Sequence, residues 1–236
     1  MSGVTAPLAL VTGVGPGTGT AIVRRLAREG YRVAMLARDA GRLAELEKTF
    51  PECRAFPCDV ADPAALAATL DAIERDMGSP DVVVHNAVAA NFGSFRDITA
   101  EALVHNFQVN TVALLHLAQK FTPAMVERGS GAIVVTGNTS ALRGKANFAG
   151  FAPTKAAQRI LAESMARDLG PKGVHVAYVV IDAVIDLEWT RKRLPDAPDS
   201  FFIQPDAIAD EVWHLVGQDR SAWSFNVEIR PYGETW

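Results

Sequence analysis

Thr12-Gly13-Val14-Gly15-Pro16-Gly17-Thr18-Gly19 is the stretch that decides the fold. An apolar run, Leu8 to Val11, leads into it, and a helical pattern, Ala21 to Arg28, leads out. Glycines at a strand-to-helix junction let the backbone turn sharply and approach a pyrophosphate, whose charge is met by the N-terminus of the next helix. The spacing is TGxxxGxG, carried by Thr12, Gly13, Gly17 and Gly19; a strict GxGxxG fails because Thr18 or Thr20 takes the third glycine position. Gly15 and Thr18 complete the candidate phosphate loop. The plainer reading, a glycine-rich structural turn, gives way to the nucleotide one because of the flanking strand and helix.

Outward from the loop, strand-like and helix-like segments alternate to the end of the chain, with no repeat and no low-complexity linker. Val33 to Ala37 reads as a strand, and a helix from about Asp39 carries Leu43, Leu46 and Phe50 on one face. Asp62-Pro63 starts a helix with a stripe of Leu66, Leu70, Ile73 and Met77. Asp81 to His85 is a buried strand by its three valines. Leu103, Phe107, Leu114, Leu117 and Phe121 line one face of a long helix, and the polar Asn110 falls on that stripe. Ala132 to Thr136 is a strand, Phe151 to Leu169 a helix, Val174 to Ile181 a sixth strand, Pro205 to Val216 a helix and Phe225 to Ile229 the last strand. Residues 182 to 203 read as turn-like and mixed in charge. The expectation is an α/β Rossmann-like domain: a doubly wound seven-stranded parallel sheet, one domain over 1–236, with its ligand site at the carboxyl ends of the strands.

Composition agrees and excludes other classes. The 236 residues carry 23 Lys+Arg against 27 Asp+Glu, so no basic excess exists to neutralise a run of phosphates, and nucleic acid is not an expected partner. An apolar fraction of 49% is ample for a core. Residues 1 to 23 hold no charged side chain, but Gly3, Pro7 and the loop glycines make them a strand and loop, not a membrane span or a leader. Cys53 and Cys58 are five apart, which points them to opposite faces of a strand. Two unpaired thiols suggest a reducing, cytoplasmic setting, and no histidine shows metal-ligand spacing.

The end of the second strand discriminates between nicotinamide dinucleotides. A carboxylate there would accept from an adenosine ribose; here Ala37-Arg38 offers a guanidinium where a 2′-phosphate would sit, which favours NADP. A solvated surface charge is the other reading of Arg38. Asp39 is the competing carboxylate, but its position just before a helix favours the role of that helix's cap.

With these pieces in order, the chain resembles the short-chain dehydrogenase/reductase family over essentially its whole length. The carrying motifs are the Thr12 to Gly19 loop, Asp59-Val60 after the third strand, His85-Asn86-Ala87 after the fourth, Asn110 and Lys155. The resemblance implies that Asp59 and Val60 contact adenine, that Asn86 and Ala87 line the cofactor cleft, and that Lys155 bridges the nicotinamide ribose beside a water held at Asn110. It also implies a homodimer or homotetramer built on the helices of Asn110 and Lys155.

The family's Tyr-x-x-x-Lys reads Phe151-Ala-Pro-Thr-Lys155 here, and a phenyl ring has no proton to give. Where the family has a serine stands Asn138, followed by Thr139 and Ser140; an amide can still donate to a carbonyl. The expected Pro-Gly after the sixth strand is Asp182-Ala183, and the threonine that would hold the nicotinamide amide is Leu187. Lys155 and Asn110 also admit bland readings, an exposed helix lysine and a locally satisfied buried amide.

Two functions remain. The first is an NADP(H)-dependent oxidoreductase acting on a small carbonyl or alcohol, with Asn110, Asn138, Phe151 and Lys155 as the altered catalytic set and a water ordered by Lys155, Asn138 or Ser140 as proton source. The second is a catalytically silent NADP(H)-binding protein, a sensor or partner subunit. A lyase or isomerase on this scaffold finds no residue in its favour. Residues 182 to 203, with Trp189, Arg191, Lys192 and Arg193, form a lid that could favour an anionic substrate or be a basic surface loop.

Overall fold

The computed structural model describes residues 6–234. Gly3 and the rest of residues 1–5 lie outside the described residues, as do 235 and 236. In chain order the elements are β1 (Leu8–Thr12), α1 (Thr18–Arg28), β2 (Arg32–Ala37), α2 (Ala40–Thr49), β3 (Cys53–Pro57), α3 (Pro63–Met77) and β4 (Val82–His85). Then come α4 (Ala100–Phe107), a π-helical turn (Gln108–Val112), α5 (Ala113–Arg128), β5 (Gly131–Asn138), α6 (Ala152–Leu169) and β6 (Val174–Ile181). The chain ends with β7 (Val184–Ile185), α7 (Glu188–Arg193), β8 (Phe202–Ile203), α8 (Pro205–Val216) and β9 (Asn226–Ile229).

Seven strands form one parallel sheet in the order β3-β2-β1-β4-β5-β6-β9, so the winding reverses between β1 and β4. Thr12 pairs with Leu36 on one side and His85 on the other, which brings the carboxyl ends of β1, β2 and β4 to one level. Every side chain of β1, β4 and β6 is buried, because helices cover both sheet faces. One face packs Ile22, Leu26, Leu43, Ile208 and Val212; the other packs Leu66, Leu70, Leu114, Leu117 and Phe121. Alternation across β3 sends Cys53 to the first core and Cys58 to the second, and both thiols are free. Burial pushes the Cys53 thiol up to about 12.

Helix starts follow local chemistry. Asp39 Oδ1 accepts from Arg42 N at 3.0 Å and Asp62 Oδ1 from Ala64 N and Ala65 N, each carboxylate capping its helix. The stripe from Leu103 to Phe121 is broken by the π turn, where Ala113 N reaches back to Gln108 O, so one long helix becomes two with Asn110 at the join.

Residues 182–203 correct the turn-like expectation. Val184–Ile185 pairs in parallel with Phe202–Ile203, and α7 lies between. Arg191 clamps Asp186 with two contacts of 2.6 and 2.8 Å, reaches Asp199 at 2.7 Å and stacks 4.0 Å over Phe202, while Gln204 Nε2 donates to Asp186 at 2.7 Å. The guanidinium holds the Asp186 carboxyl down at about 2. Short-range periodicity carries no trace of this ribbon, because its strands are two residues long. No described helix is long and apolar enough to cross a membrane.

Candidate active site

A cleft of about 780 Å³ opens at the carboxyl ends of the strands, where the winding reverses. Gly13, Gly15, Gly17, Thr18, Gly19, Arg38, Asp59, Val60, Asn86 and Ala87 all line it. Two glycines are imposed by the protein itself. Gly13 has φ +68°, and a Cβ there would lie 2.6 Å from the Ala87 backbone; a Cβ on Gly19 would lie 2.3 Å from Gly13 O. At Gly15 nothing lies closer than 3.9 Å, so that glycine leaves open cleft above it.

The loop is stapled from beneath. Thr12 Oγ1 accepts from Asn86 N and Ala87 N at 3.2 Å, Asn86 Nδ2 donates to Gly13 O at 2.9 Å, and Thr136 Oγ1 donates to Asn86 Oδ1 at 2.9 Å. At the start of α1 no side chain caps the helix and no acid lies in its first turn. The buried Thr18 Oγ1 has no hydrogen-bond partner among the described residues. Open helix amides and an orphaned hydroxyl at one point suit an anionic group. At the far end Arg38 is exposed in the cleft without an ion pair among the described residues. Arg42, one turn further on, also lines the cleft and pairs with Asp39 at 3.0 Å.

The expected catalytic set is arranged differently. Asn110, Asn138, Phe151 and Lys155 are not among the cleft-lining residues. Lys155 is 2% exposed, which removes the surface-lysine reading. Its Nζ donates to Thr136 O at 3.1 Å and to Gln158 Oε1. Gln158 Nε2 then donates to Asn110 O at 2.6 Å, so one amide links the lysine to the Asn110 carbonyl. The Asn110 side chain accepts from Ala89 N at 3.0 Å and donates to Ala89 O and Thr154 Oγ1, a locally satisfied amide. Burial without a carboxylate partner pulls the Lys155 ammonium down to about 7.

Two further groups complete this network. Tyr178, on β6, reaches Gln158 Oε1 at 3.3 Å by passing under Gly137, where a Cβ would lie 2.2 Å from the ring. His85 accepts from Thr12 Oγ1 at Nδ1 and donates from Nε2 to Asn110 O; burial and the nearby lysine push it down to about 3. Asn138 Oδ1 accepts from Ser140 N and caps a turn. Phe151 is buried with Phe92 across it at 5.5 Å and Phe148 beyond at 5.0 Å from Phe92. Leu187 does line the cleft, and a Cβ on Gly17 would lie 2.4 Å from its Cδ2, so an apolar side chain lies against the phosphate loop.

Sequence reading missed Arg42, Gln158, His85 as a network member, and Tyr178. Gln158 was visible as a helical neighbour of Lys155 at i+3, and Arg42 as the next arginine, in the first turn of the helix that follows Arg38. Tyr178 was not, because its reach depends on a glycine in the adjacent strand.

The sequence pattern of the short chain dehydrogenases matches residues 7–193, most of the chain. The chain belongs to the short-chain dehydrogenase family. Among its relatives, D-erythrulose reductase of Gallus gallus is 35% identical over 91% of this chain and 89% of that one. A metagenomic short-chain oxidoreductase solved in complex with NADP superposes with a TM-score of 0.83 at 29% identity, covering 95% of this chain and 97% of that one. An NADPH-bound short-chain oxidoreductase of Pseudomonas aeruginosa PAO1, described as containing an atypical catalytic center, superposes at 0.85 with 25% identity, covering 97% and 96%. Membership of the short-chain dehydrogenases accounts for the sheet order and for the position of the cleft.

Proposed function

We propose that this chain binds NADP(H) and is an oxidoreductase of small carbonyl or alcohol substrates whose proton donor is not residue 151. The carrying observation is the cleft's charge layout: open α1 amides and the orphaned Thr18 hydroxyl at one point, Arg38 and Arg42 at the adenosine end. NADPH supplies a hydride when bound. In this reading Thr18 and the α1 amides hold the pyrophosphate, Asp59 and Val60 flank adenine, Asn86 and Ala87 form the cleft floor, and Arg38 with Arg42 holds the 2′-phosphate. The NADP and NADPH complexes of the two structural relatives support the cofactor assignment.

For the proton, Phe151 offers nothing, and Lys155 is engaged with Thr136 and Gln158. The titratable group on the cleft wall beside Ala89 to Asn91 and Val109 is the exposed His105, which with solvent takes the donor's role in this proposal. The buried Gln158 amide favours a second reading, a binding protein without turnover. A glutamine amide does not pass a proton along as a water or hydroxyl would.

Fluorescence titration with NADPH and NADH tests the cofactor. One charge-assisted contact is worth about 1.5–3 kcal/mol, so NADPH binds ten- to a hundredfold tighter, and Arg38→Ala removes most of that gap. Equal affinities, or a preference for NADH, overturn the assignment. Following NADPH absorbance with a carbonyl panel then separates the two readings: no turnover by protein that binds NADPH selects the silent one. Assembly as a homodimer or homotetramer and a cytoplasmic location belong to the same proposal.

A further inference from the structure

The cleft is chemically divided. Its adenosine end is charged, whereas Ile185, Leu187 and Trp189, alternate residues of one segment, face it as an apolar wall, with Val88, Ala90 and Val109 also lining it. Trp189 is 61% exposed and Val88 59%, although both border a cleft. Large apolar side chains left open at a concave site mark a surface awaiting an apolar ligand.

Hydrogen bonds tie the wall down on both sides. Trp189 belongs to α7, held by the Asp186–Arg191 clamp and by Thr190 Oγ1, which donates to Ile185 O at 2.6 Å. Opposite, the chain beyond Asn91 is pinned to the segment before α6: Gly93 N donates to Asn147 O at 2.9 Å and Ala149 N to Gly93 O at 3.2 Å. Phe92, 55% exposed, continues the apolar surface edge-on to Phe148 and Phe151. Apart from the phosphate loop, Asn86 and the adenosine-end residues that the proposed cofactor occupies, the cleft side chains beside that wall able to hydrogen-bond a substrate are Asn91 and His105. They suffice for one carbonyl oxygen but not for the several hydroxyls of a sugar, and each hydroxyl stranded against apolar wall loses roughly tenfold in affinity.

Resting on the oxidoreductase reading, we infer that the substrate of this cleft is a flat, apolar ring carbonyl stacked on Trp189, not a polyol ketone. The indole supplies a stacking face, Val88 bears on the ring from the other wall, and the carbonyl is left to the polar pair.

Calorimetric titration of the protein with 1-tetralone and with D-erythrulose, each with and without saturating NADP+, tests this. Tetralone binds at least tenfold tighter than D-erythrulose, and Trp189→Ser or Val88→Ser narrows the gap to under threefold. Both side chains are exposed, so the variants stay folded, as a thermal melt verifies. D-erythrulose binding as tightly as tetralone overturns the inference, as does a gap that survives both substitutions. Failure of NADP+ to bind counts against the oxidoreductase reading alone, because the ligand preference is then read from the cofactor-free arm.

Discussion

Replacing Lys155 with methionine isolates the most unusual charge in the molecule. In the unfolded chain a lysine titrates near 10.4; in the fold Lys155 lies at about 7, through burial. The folded value is depressed, so between these two values the unfolded chain holds a proton that the folded chain has released. Stability therefore rises with pH across the window, by up to about 1.4 kcal/mol per pH unit. Integrated from pH 7 to 9, the gain is roughly 2 kcal/mol. Below pH 7 both states carry the proton, and the full penalty persists unchanged. In Lys155→Met the contribution vanishes, while Cys53, Cys58 and Tyr178, whose groups burial pushes up, titrate alike in both proteins and cancel. Urea unfolding of both proteins at pH 7, 8 and 9 reads the difference directly. Wild type gains on the variant by about 2 kcal/mol over that range; parallel pH dependences would refute the claim that Lys155 is buried without a counter-charge.

Gly19→Ala places a Cβ 2.3 Å from Gly13 O and 2.7 Å from Val14 Cα, so the loop shifts, and the variant loses at least about tenfold in NADPH affinity with a lowered melting temperature; unchanged titrations would show the loop to be pliable. Phe151→Tyr introduces a hydroxyl at a buried position beside Phe92 and destabilises by about 1–3 kcal/mol, read as a fall in urea midpoint. Asp186 is held down at about 2, so its contribution is full above the unfolded value near 3.9 and is lost as pH falls towards 2. Acid-tolerant proteolysis cuts 182–203 first on that descent, and Arg191→Ala shows the same cleavage already at pH 5.

Much of the fold was legible because buried parallel strands write themselves as apolar runs: Leu8 to Val11, Val82 to Val84 and Val174 to Ile181 all lie in the observed strands. Asp39 and Asp62 announced their helices through local capping. The phosphate loop was equally plain, since Gly13 and Gly19 answer to contacts within the motif itself or the strand beside it. What stayed hidden was non-local. The ribbon of Val184–Ile185 with Phe202–Ile203 spans eighteen residues through a clamp between Asp186 and Arg191. Lys155 sits at its motif position, yet where its amine points depends on Gln158, Thr136 and a tyrosine two strands away from His85 in the sheet. Position in a motif located these residues; only packing showed which way they face.

The π turn at Gln108–Val112 bears on how this site can be altered by insertion or deletion. Such a turn holds one residue more than the α-helix it interrupts. Deleting any one residue there would close the segment into regular α-helix with the faces on either side near their present directions. Leu114, Leu117 and Phe121 would keep their core and Asn106 its bond of 2.7 Å to Gly150 O, but the carbonyl of Asn110 would turn back into the helix ladder. The inward carbonyl of Asn110 that receives Gln158 and His85 is thus held in place by the residue count of its segment. A homologue of equal composition, one residue shorter here, would have to build a different site floor.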